Sequence, residues 1–397
     1  EMGSLGEALA INTEAIALAE STGETPNSIL SYLYRVQANI LHSQFAIKEP
    51  AIMFQKKSVN RLQTIRLQLS EMDDDIRSAF LAKNVDAYET LQEWLIEAGR
   101  FAEAEQVGRM LKEQEYFGFV RRRSGDGGDP RATRSELTSM EAEWDAQLAS
   151  WGERPNRIAA ELATLKTRRR SGEELTDLEV TQLDDLQTRY DIAYTEYKNR
   201  IDDWLASVSE LSNDDVQREA EELQTRFHDA FQVEIEEIGA DVAALQLVAF
   251  EDSTHAFLIT PRAFKHIEIP VARAQLNQAI FAARKAVQPD PRTGLLNPNP
   301  EIPLQALHEI IMAPIEQELE DAGTKTLMLN LQGAIRYIPF GALHDGDAYL
   351  TERYKFALFT PAARTRYEPA DALREATGFG VAIEYPPFEA LNEVSRE

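Results

Sequence analysis

Cysteine is absent from all 397 residues. With no thiol there can be no disulfide, no thiolate metal site and, within these residues, no cysteine nucleophile. Histidine is scarce as well: His42, His228, His255, His266, His308 and His344 are scattered without ligand spacing, so no metal is expected. Positive charge is the third shortage, 41 Lys and Arg against 67 Asp and Glu for a net charge of −26. A phosphate backbone would be repelled by that field, which argues against direct nucleic-acid binding. Two runs dissent, Arg121-Arg122-Arg123 and Arg168-Arg169-Arg170, each beside a Ser-Gly. Basic residues complementing the end of a helix dipole explain them more simply than a docking patch does. No apolar run approaches the roughly 18 residues that span a bilayer, and no cationic and apolar leader is seen. A cytoplasmic protein is therefore expected. No glycine-rich phosphate loop stands out either, so no cofactor is expected.

What is present divides the chain. Its length predicts two or three domains. The acidity is concentrated early, with a net charge of −19 over residues 1–240 and −7 over 241–397. Residues 1–120 repeat apolar side chains at three and four, the helical period. Around Gly99 the spacing resembles a tetratricopeptide repeat: Tyr88 and Leu91 one turn apart ahead of the glycine, then Phe101 and Ala104, where two helices would cross closely. Gln92 breaks the pattern at a position where a small residue is usual, and an ordinary helical bundle fits these residues equally well.

Residues 121–136 read as a linker, with three glycines and a proline. Residues 137–239 return to helix. Trp144, Leu148, Trp151, Ile158, Leu162 and Leu165 form one stripe, interrupted at Gly152 and Pro155; Leu183, Leu186, Tyr190, Ala193, Tyr197, Ile201, Trp204 and Val208 form another. A long helical hairpin of coiled-coil type is expected, with a further helix over 214–237.

From residue 240 the pattern changes to short β-type runs, VAALQLVAF, HAFLIT and FKHIEIP, which predict a meander. Helices over 271–287 and 304–321 lead into the strand TLMLNL, and later strands are read in YKFALFT and GFGVAI. Strands interleaved with helices predict an α/β layer. After TLMLNL, the run Ala334 to Ile338 reads as a second strand following a tight turn. An irregular, polar-tipped loop, PFGALHDG, comes next.

Residues 326–361 resemble the opening of a CHAT domain, a caspase-like cysteine peptidase domain commonly attached to tetratricopeptide repeats. The resemblance is carried by Ile335, Arg336, Ile338, Pro339, Phe340, Ala342, Leu343, Asp345, Gly346, Tyr349, Leu350 and Pro361. It implies a multidomain protein: an all-α repeat and helical-hairpin region, then a partial α/β caspase-like domain over 240–397. It further implies that Arg336, Pro339, Phe340 and Asp345 form the scaffold side of a substrate cleft. Arg336 as a cross-strand ion-pair partner of Glu352 or Asp345 is an equally good reading of that residue.

The chemistry of such a fold requires a thiolate and a histidine. In the family these come as a His and then a Cys, and here there is no Cys, nor any His after Gly380. Neither Ser395 nor His344 is placed to substitute. No catalytic residue is therefore expected in these residues. Ending at Glu397 would leave an apolar sheet edge unpaired, so the remainder of the domain is expected elsewhere, in the same or a second chain. Two functions follow: the regulatory and scaffold portion of a CHAT endopeptidase, its repeats binding a protein partner, or a non-catalytic adaptor with a degenerate CHAT domain.

Overall fold

The computed structural model describes residues 2–22, 25–69, 72–120, 134–209, 232–233, 235–289, 293–295, 297–331 and 333–358. The chain divides after Leu358, and all described residues lie before that division. The strand expected in GFGVAI, Ser395, most of the helix expected over 214–237 and residues 121–133 of the expected linker fall outside them.

Five helices open the chain: α1 (Met2–Thr22), α2 (Asn27–Phe45), α3 (Lys48–Gln68), α4 (Asp74–Glu97) and α5 (Phe101–Val120). Successive helices from α1 to α5 pack against one another. Two of the connections use left-handed backbone, Ala46 at φ 55 after α2 and Gly99 at φ 72 between α4 and α5. At the second turn the Gly99 amide bonds the Ile96 carbonyl and the Arg100 amide the Leu95 carbonyl, so the last carbonyls of α4 are satisfied by the turn itself. Helix α3 is the centre of this array. From Pro50 to Val59 all but one of its residues are buried, Gln55 and Lys56 included, which is the pattern of a helix packed on every side.

The long hairpin consists of α6 (Ser139–Arg170) and α7 (Asp177–Ser209). A capping box starts α6: Thr138 accepts from the Glu141 amide while Glu141 accepts from the Thr138 amide. The apolar stripe is interrupted at Gly152 and Pro155, but the helix is not, and α6 runs through both. Gly152 faces α1 so closely that a Cβ there would sit 3.1 Å from the Ala17 Cβ. The apolar stripes meet along the hairpin, but in two separate clusters. Trp144, Leu148, Tyr197, Ile201, Trp204 and Val208 join the core of the helical array. Ile158, Leu162, Leu165, Leu183, Leu186 and Ala193 form a cluster of their own further out.

Beyond residue 240 the described residues include five strands in one sheet, in the order β3-β2-β1-β4-β5. β1 (Val242–Ala249), β2 (Thr254–Ile259) and β3 (Phe264–Ile269) make an antiparallel meander. β4 (Thr326–Leu331) runs parallel to β1, and β5 (Lys355–Leu358) parallel to β4. One face, with Leu245, Leu247 and Leu258, packs on α8 (Arg273–Ala286) and α9 (Glu301–Ile311). The other face sends Val248 and Phe257 into the core of the helical array. β1 is thus covered on both sides, which is why its sequence reads as a continuous apolar run.

Two expectations are corrected here. The helix expected over 304–321 is broken: α9 ends at Ile311, a 3-10 turn spans Ala313–Ile315, and α10 covers Glu316–Asp321. Pro314, which has no amide to donate, accounts for the break. The strand expected at Ala334 to Ile338 is a 3-10 helix over Gly333–Tyr337. Gly333, at φ 53, turns the chain out of the sheet, and Ile335 and Ile338 are buried three apart, which is the 3-10 period rather than the strand period of two.

Candidate functional site

In open α/β sheets, ligands bind outside the carboxyl ends of parallel strands. Here a cleft of about 310 Å3 lies at the carboxyl ends of β1 and β4. One wall is Val248, Ala249 and Phe250 of β1 and the residue after it; another is Gly333, Ala334 and Ile335, the 3-10 segment after β4. The helical array supplies Leu81, Val85, Glu89 and Gln92 from α4 and Leu111 from α5. Arg273 and Asn277, in the first turns of α8, complete the lining. The walls are mostly apolar, with one ionic strut: the Arg273 Nη2 lies 3.0 Å from the Glu89 Oε2, and its Nε donates to the Ala249 carbonyl at 3.0 Å. One turn along α4, burial raises the Glu93 carboxyl above its ordinary value, and Glu97, Asp252 and Glu251 add to the effect against Arg273.

The sequence-derived site residues sit around this cleft rather than in it. Arg336 is exposed, one residue beyond the lining Ile335. Phe340 is buried, its ring 6.1 Å from that of Phe356, and Pro339 is half-buried before it. Asp345 is committed to structure. It accepts from the amides of Asp347 at 2.7 Å and Ala348 at 2.8 Å and forms an ion pair with Arg353, which also reaches Glu316 on α10 at 3.2 Å. Arg353, in the short helix α11 (Leu350–Arg353), is therefore the partner of Asp345. Arg336 lies in a 3-10 helix and not in a strand, so the geometry anticipated for it is not a cross-strand one. Phe340 and Asp345 thus hold the loop in place, and the preceding segment touches the cleft.

The repeat-pattern residues fall into two settings. Tyr88, Leu91 and Ala104 are buried where α4 meets α5. Gln92, the residue that broke the pattern, is buried too and donates to the Ala104 carbonyl at 3.1 Å, bonding one helix to the other. Phe101 points elsewhere, into an aromatic group on the meander: Phe257 at 5.6 Å, Phe264 at 5.9 Å and His266 at 4.5 Å between ring centroids.

Sequence reasoning missed the pairing of His255 and His266. Their rings are nearly parallel, 4° apart, and meet edge to edge, with the Nδ1 of His255 2.8 Å from the Nε2 of His266. The Oγ of Ser253 is 2.9 Å from the Nε2 of His255. The order serine, histidine, histidine resembles a nucleophile with its base and orienter. Glu251 and Asp252 share the turn with Ser253, however, and their charges oppose the oxyanion that acyl transfer develops; the trio is read as structural. Register could have revealed the pair, since His266 lies opposite Phe257, two residues from His255 on the same face of β2. Among the described residues no group of three or more His, Asp or Glu is placed to hold a metal ion.

A pH dependence follows. Burial, with His255 beside it, pushes His266 down to about 4, and burial lowers His255, His42 and His308 as well. Glu268 on β3 and Glu97 on α4 pull His255 weakly the other way. Unfolding returns these groups to the ordinary value of about 6.5. Between that value and about 4 the unfolded chain therefore binds more protons, and stability present above pH 6.5 is lost as pH falls through the window. Urea midpoints should fall steadily from pH 7 to 5, and less steeply in His266→Gln.

The architecture, a meander beside a parallel strand pair with helices on both faces, defines a layered α/β unit built onto a helical array. Residues 301–392 match the family model described as the CHAT domain. No curated protein and no solved structure matches the chain. Among the described residues no helix is long and apolar enough to cross a membrane.

Proposed function

We propose that this chain is the regulatory and scaffold portion of a caspase-like CHAT cysteine endopeptidase, whose helical array, of tetratricopeptide type, binds a protein partner or signal that controls proteolysis. The supporting observation is that one cleft is lined both by the segment after β4, inside the CHAT match, and by α4 and α5 of the array. A partner that shifts α4 or α5 would change that cleft directly. The cleft receives the peptide substrate, and the loop held by Phe340 and Asp345 fixes one of its walls, with Arg336 at the rim. The thiolate is not among these residues, since they include no cysteine; it belongs to the remainder of the CHAT domain, in the same or a second chain.

The lack of cysteine favours one other reading, an adaptor whose CHAT part only presents a surface. The gene decides between them: a His followed by a Cys is expected within roughly one further half-domain of reading frame. A frame without that pair ends the peptidase reading. With the pair present, the full-length protein should cleave members of a peptide library and its cysteine-to-alanine variant should not; equal cleavage by both removes the mechanism. Filling the cleft with Ala334→Trp should lower cleavage about ten- to a hundredfold.

A further inference from the structure

Arg100 and Phe101 are adjacent in the chain and belong to different neighbourhoods. Arg100, fully buried, binds Glu141 in the first turn of α6 at 2.8 Å, together with Glu103 and Glu49. Phe101 turns the other way, onto the meander, against Phe257, Phe264 and His266. Further along the same helix, Leu111 lines the cleft. One helix, α5, is thus held by the base of the hairpin at its start, rests on the sheet one residue later, and forms part of the cleft wall.

We propose that α5 is a transmission element: the seating of the α6–α7 hairpin, read through Glu141 and Arg100, sets how Phe101 sits on the β2–β3 edge and hence the position of the cleft wall. This deepens the reading given above, in which the array governs the cleft. A hairpin helix of 32 residues is about 48 Å long, so a modest tilt imposed on its outer part by a bound partner acts on its base with leverage. The ionic contact at the base is buried and discrete, and it is either made or lost. The Gly99 turn, with both of its amides bonded back onto α4, passes displacement on to Phe101 rather than absorbing it.

The test is amide hydrogen exchange on the whole chain, which needs no peptidase activity. Its outcome is therefore independent of whether the protein proves to be a peptidase or an adaptor. Glu141→Gln keeps the shape and removes the charge. Exchange should rise by about tenfold or more across β2–β3 as well as in α5, with β4 unchanged. A rise confined to α5 and α6 overturns the proposal, as does uniform loosening of the sheet. Coupling is reciprocal, so Phe101→Leu, which leaves every ionic partner in place, should speed exchange in the first turns of α6; no change there also overturns it.

Discussion

Replacing Lys56 with alanine is expected to lower the unfolding free energy by about 3–5 kcal/mol, because it leaves buried carboxylates without their partner. The Lys56 side chain is 0% exposed. Its ammonium meets Glu103 and, at 2.7 Å, Glu141, and donates to the Glu136 carbonyl at 2.9 Å. Burial works against ionisation of Glu103, yet Lys56 and Arg100 together hold its carboxyl below the ordinary range. Deleting the lysine removes the nearer of those two cations from a site that water does not reach. The neighbouring Lys57, bound to Glu20 at 2.9 Å and to Asp145, is slightly exposed, so its loss should cost less. Arg154 and Glu196, both more than half exposed, should be replaceable for well under about 1 kcal/mol. Urea unfolding of the three variants checks the ranking; equal effects would mean that the buried network contributes no more than a surface pair.

Leu245→Ala is expected to cost about 2–5 kcal/mol. Leu245 is wholly buried on the central strand, in the cluster shared with α8 and α9. β1 is hydrogen-bonded to β2 on one side and β4 on the other, so the backbone has little freedom to close the cavity, which places the cost in the upper part of the range. A lowered urea midpoint with an unchanged slope is the expected signature. The same truncation at Leu178, 78% exposed on α7, should stay within about 0.5 kcal/mol.

The hairpin stripes and the meander could be read from periodicity because each is a local repeat of apolar side chains. Tyr197, Ile201, Trp204 and Val208 are buried for the reason their spacing suggested. The segment after β4 misled because Ala334 to Ile338 is apolar enough for a strand, and only the turn at Gly333 decides otherwise. Lys56 and Glu141 lie 85 residues apart, and a Lys-Lys pair inside a helix reads as solvent-facing. Nothing in their spacing marks them as buried. The cleft draws on α4, α5, α8, β1 and the segment after β4. The family resemblance pointed to the last of these, and only the tertiary fold supplies the rest.

The segment entering α6 has its own implication. Asn60 bonds both the amide and the carbonyl of Ser135, at 2.9 and 2.8 Å, and Lys56 holds the next residue, Glu136. The end of the stretch that reads as a linker is therefore laced to α3. Shuffling of parts between genes normally cuts at such stretches, since little is lost there. Here a cut would take the Ser135 bonds from Asn60 and the Glu136 and Glu141 contacts from Lys56, and a hairpin from another protein without a carboxylate at the place of Glu141 would leave Lys56 and Arg100 each one partner short. The array and the hairpin therefore form one unit, separable only with the loss of these contacts.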